Sequence, residues 1–65
     1  MAEADAIEAA FEDQVQTLFK GLATNLGDAP VTHKTDQQCV AVFTAGLTIA
    51  RKAKQLALAA IAPGV

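Results

Sequence analysis

The chain has one cysteine, one histidine, two prolines, no tryptophan and no tyrosine among its 65 residues. A lone Cys39 rules out an internal disulfide, and one Cys with one His cannot assemble a closed zinc site. Phe11, Phe19 and Phe43 are the whole aromatic inventory. Three rings make no base-stacking platform, and a net charge of −2 disfavours nucleic acid as a partner. There is no Gly-rich phosphate loop, no HExxH and no EF-hand pattern, so neither a metal nor a cofactor is expected. Paired carboxylates do not rescue an enzymatic reading. Glu8, Glu12 and Asp13 belong to a charged helix face beside the basic residues.

Long apolar runs are missing as well. The longest, residues 39–50, contains Thr and Gly and meets Arg51-Lys52, whereas a spanning helix needs about 20 apolar residues. The first residues, Met1-Ala2-Glu3-Ala4-Asp5, are acidic where a secretory signal would be basic. These features predict a cytoplasmic chain with no membrane partner. A single domain of this size buries only about 60% of its unfolded surface. With no disulfide or metal to reinforce it, self-association is the remaining route to an adequate core.

What the chain does have is helical periodicity. Ile7, Phe11, Val15, Leu18 and Leu22 recur every three or four residues, and Phe19 and Leu26 widen the same face. This predicts a first helix over residues 3–26, with Glu3, Asp5 and Glu8 at the positive end of its dipole. Gly21 marks either an early frayed end or a close contact. Gly27 fits a left-handed helix cap, and Asp28-Ala29-Pro30 reads as a turn. A connection over residues 27–34 follows. Thr35 and Gln38 form a capping box for a second helix over residues 35–62, with Thr32 as a competing cap and Pro63-Gly64 as the stop.

The second helix is apolar over more than half its girth. Val40, Phe43, Leu47, Leu58 and Ile61 form one stripe, while Val42, Ile49 and Leu56, spaced by seven, form another. Small residues lie between them, and Cys39, Gly46 and Ala53 are again spaced by seven. The fold expected is all-α: an antiparallel two-helix hairpin in one domain, self-associating into a four-helix dimer or a larger ring. One stripe covers helix one. The interface between copies is then assigned to Cys39, Val42, Gly46, Ile49, Ala53 and Leu56.

Charge supports the hairpin. All seven acids lie within residues 3–36, and the remainder carries only Arg51, Lys52 and Lys54. Antiparallel packing brings those bases beside Glu3, Asp5, Glu8 and Glu12. Lys54 falls inside an apolar stripe, so it pairs with Glu8 or Glu12, snorkels, or faces an anion. Thr44, Thr48, Arg51 and Gln55 share one helix face. With Lys54, and with His33 and Lys34 supplied from the connection of a neighbour, they make a candidate site for an anionic, nucleotide-like ligand. The bland alternative is a solvated face. Cys39 is read as a packing residue rather than a nucleophile, because no orienting group or cleft accompanies it.

No residue motif matches a known family. In length and hairpin plan alone the chain resembles Rop-type RNA binders, which are dimeric four-helix bundles, and helical phage proteins that sequester cyclic nucleotides. That resemblance implies an oligomeric bundle. The leading expectation is a non-enzymatic homo-oligomeric binder of an anionic small molecule held between protomers. A protein-interaction module, such as an inhibitor or adaptor using the apolar face of helix two, is the alternative. A Rop-like RNA binder is third.

Overall fold

The computed structural model describes residues 2–62, which form two helices, α1 (Ala2–Thr32) and α2 (Asp36–Ile61), packed side by side. The Pro63-Gly64 stop and Val65 lie outside the described residues. The chain is an all-α hairpin 52 Å long, 17 Å wide and 10 Å deep. Ala4, Ile7, Phe11, Val15, Leu18, Leu22, Asn25 and Ala29 of α1 are half-buried, a spacing of three or four throughout. They meet Phe43, Gly46, Leu47, Ala50, Lys54, Ala57, Leu58 and Ile61 of α2, with Cys39 the one fully buried side chain among the described residues. The salt bridge from Lys54 to Glu8 and the approach of Gly46 to Leu18 fix the antiparallel register.

The end of α1 differs from the expected one. The helix does not stop at Gly27 but continues through Pro30 to Thr32, and only His33, Lys34 and Thr35 connect it to α2. Local signals favoured a stop: glycine costs about 1 kcal/mol in a helix interior. Pro30 adds to that cost, since it cannot donate to the Leu26 carbonyl and its ring crowds that group, a penalty of about 3 kcal/mol in a helix interior. The extra residues, 27–32, carry half-buried Ala29 opposite the start of α2, where Cys39 is 1% exposed. The left-handed cap falls instead on His33, at φ 61°, whose N–H donates to the Ala29 carbonyl at 2.8 Å. Thr32 does not cap α2, and its hydroxyl donates to the Asp28 carbonyl.

The start of α2 is as expected. The Gln38 N–H donates to Thr35 Oγ1 at 3.1 Å, and the Thr35 N–H donates to Gln38 Oε1 at 2.9 Å. Gly21 is neither a frayed end nor a close contact, since a Cβ there would meet nothing within 4 Å. Gly46 is the close approach: its Cβ would stand 2.5 Å from Leu18 Cδ2. Two residues assigned to the interface between copies, Cys39 and Gly46, are thus committed inside the hairpin. Val40 leaves the inner stripe and is exposed.

Candidate functional site

Because two helices cover each other along one seam, the hairpin has two flanks, and they differ in chemistry. On one flank a groove of about 520 Å³ runs between the helices. Ile7, Ala10 and Gln14 line it from α1, and Gly46, Ile49, Ala53 and Ala57 from α2. Beside it stands the outer stripe of α2, with Val42 58%, Ile49 69% and Leu56 62% exposed. The matching positions of α1 are Ile7, Ala10, Gln14, Thr17 and Gly21, an uncharged line spaced three, four, three and four. The only charge at the groove is Lys54, and that ammonium is engaged elsewhere.

The second flank carries the charge. Its groove, of about 820 Å³, is lined by Phe11, Thr48, Arg51, Lys52, Lys54, Gln55 and Leu58. Lys54 Nζ lies 3.0 Å from Glu8 Oε1 and 4.6 Å from the centre of the Phe11 ring. This explains a lysine inside an apolar stripe: its stem joins the seam while its head meets a carboxylate and an aromatic face. Glu8 is half-exposed, so the pair contributes at most about 1 kcal/mol. Among the described residues Arg51 and Lys52 have no carboxylate partner. Towards the connection this flank gives way to exposed Phe19, Leu26 and Val40, with no charge between them.

Of the residues assigned to an anion site, Thr48, Arg51, Lys54 and Gln55 share the charged groove. Thr44 is not among its lining residues, and its carbonyl accepts from the Thr48 hydroxyl at 3.0 Å. His33 and Lys34 sit at the opposite end of the hairpin, some twenty residues or roughly 30 Å along α2 from Lys54. Within one chain they cannot join it. Of the residues assigned to the interface, Val42, Ile49, Ala53 and Leu56 face the uncharged flank and are exposed. The contribution of Ile7, Ala10 and Gln14 was missed, although their uncharged spacing was legible.

Among the described residues no group of His, Cys, Asp and Glu could hold a metal ion, and no helix is long and apolar enough to cross a membrane. The exposed area completes the geometry. A folded monomer of 6.7 kDa is expected to expose about 3,900 Å². This chain exposes 4952 Å². A thin two-helix hairpin, 52 Å by 17 Å by 10 Å, exposes more than a compact chain of the same mass. Comparison with protein-family models, with curated proteins and with solved structures finds no match to this chain.

Proposed function

We propose that this chain is a non-enzymatic association module, a subunit of a homo-oligomeric helical bundle that acts through its uncharged flank. The observation that carries this reading is the Val42–Ile49–Leu56 stripe, exposed beside an apolar groove on a hairpin with almost no interior of its own. Exposed apolar patches of this kind mark interaction sites. Two helices alone cannot bury them, whereas a four-helix bundle can. Sedimentation equilibrium tests the reading. A mass of at least two chains that falls on dilution supports it. A folded single chain at every concentration overturns it, and the flank then belongs to a helix of another protein.

A second reading, that the protein also takes an anionic, nucleotide-like ligand, is favoured by Thr48, Arg51, Lys52 and Gln55 sharing one groove with the Phe11 ring. Two cations with no carboxylate partner among the described residues, beside a hydroxyl and an amide, suit a phosphate. The groove lies on the flank away from the proposed interface, so such a ligand would not be held between protomers there. A thermal-shift series with mono- and cyclic dinucleotides tests it. Stabilisation lost in Arg51→Ala supports the ligand. No stabilisation by any of them removes it.

A further inference from the structure

Resting on the self-association proposed above, we infer that the occupant of the uncharged flank is one second copy, run antiparallel, with its two-fold axis at Ile49. A two-fold interface must be complementary to itself, so a ridge and the groove that receives it have to lie on the same patch. This flank has both. The ridge is Val42, Ile49 and Leu56, and the groove beside it has Gly46, Ala53 and Ala57 in its floor.

The spacing of the ridge fixes where the axis falls. Val42 and Leu56 stand seven residues either side of Ile49. An antiparallel two-fold at Ile49 therefore sets each Val42 level with the partner's Leu56, and each Ile49 level with the partner's Ile49, the two ridges lying side by side across the axis. The same operation pairs Ala45 with the partner's Ala53, so small residues flank the axis and let the two α2 helices approach. Each ridge then runs along the groove between the partner's helices.

Charge selects antiparallel over parallel. The open half of the hairpin carries Glu3, Asp5, Glu8, Glu12 and Asp13 against Arg51, Lys52 and Lys54, a net −2. The half nearer the connection carries Lys20 and Lys34 against Asp28 and Asp36, a net of zero. A parallel pair would set two net-negative ends together and align the α2 dipoles. The antiparallel pair places each negative end beside a neutral one. A two-fold uses this patch once on each copy, so the assembly closes at two chains.

The register is tested with spin labels at Gln37→Cys and Ala59→Cys, both exposed helical positions of α2 away from the ridge. Cys39, 1% exposed, stays in place and is checked for lack of labelling in the unsubstituted chain. In the antiparallel dimer two labels at 37 lie roughly 36 Å apart along the bundle axis, while 37 on one copy and 59 on the other lie within roughly 3 Å along it. Ile49→Glu yields a monomer, and Ala59→Glu leaves the dimer intact. A dimer whose labels at 37 lie level is parallel and overturns the inference, but not self-association. So does a larger ring, or a dimer indifferent to Ile49→Glu and broken by Phe19→Glu on the other flank. A folded monomer in the unsubstituted chain overturns both.

Discussion

The two flanks of the hairpin are built from the same two helices, yet one holds charged side chains at its groove and the other holds essentially none. On the charged flank every large apolar group at the groove is accompanied by something that tolerates water. Phe11 lies under an ammonium, Leu58 beside Arg51 and Gln55. On the uncharged flank Ile49 shares its groove with Ile7, alanines and Gln14, and the one charge there, Lys54, turns its head to Glu8. The contrast teaches that helix periodicity alone does not say which apolar face is finished. What distinguishes them is whether charge accompanies the exposed carbon.

Adding charge to the bare flank should give the largest effect. Leu56→Lys is expected to weaken association by at least about 100-fold, roughly 3 kcal/mol, because an unpaired ammonium would be buried against apolar groups. Sedimentation velocity reads that loss, and unchanged mass would place the interface elsewhere. The seam between the helices should respond differently. Gly46→Val forces Leu18 aside and overpacks a close crossing, costing about 1–3 kcal/mol. Its signature is a lower urea midpoint that persists at protein concentrations too low for association, unlike that of a flank variant.

Smaller effects follow on the charged side. Lys54→Ala removes both the Glu8 pair and the Phe11 contact and should cost about 1 kcal/mol, part of it already lost at high salt. A midpoint insensitive to salt in the parent would show that the ion pair contributes nothing. Gly21→Ala meets open space within one hairpin and should stabilise by about 0.5–1 kcal/mol at protein concentrations too low for association. A destabilised Gly21→Ala would mean that something packs on α1 at that point. Arg51→Ala should change stability by under about 0.5 kcal/mol, since its head touches no described carboxylate.

Much of this plan was legible in the sequence, for identifiable reasons. The capping box at Thr35 and Gln38 is local chemistry, and the α1 stripe from Ile7 to Leu22 is simple periodicity. The Lys54–Glu8 pair followed once the helices were taken as antiparallel. The end of α1 was not legible, because Gly27 and Pro30 report local cost while Ala29 meets a helix distant in sequence. Nor could spacing by seven separate Gly46, which admits Leu18, from Ala53, which faces outward. The candidate anion site was half legible: Thr48, Arg51 and Gln55 share a face by arithmetic. His33 and Lys34 were assigned to the same site only by supposing a neighbour, and they sit at the far end of the hairpin.

The central claim is that this hairpin is complete only when another chain covers its uncharged flank. The most direct test is the thermal unfolding midpoint, followed by helix circular dichroism, across the widest accessible range of protein concentration. Folding coupled to association predicts a midpoint that climbs steadily with concentration. A sharp midpoint that stays fixed throughout would contradict it.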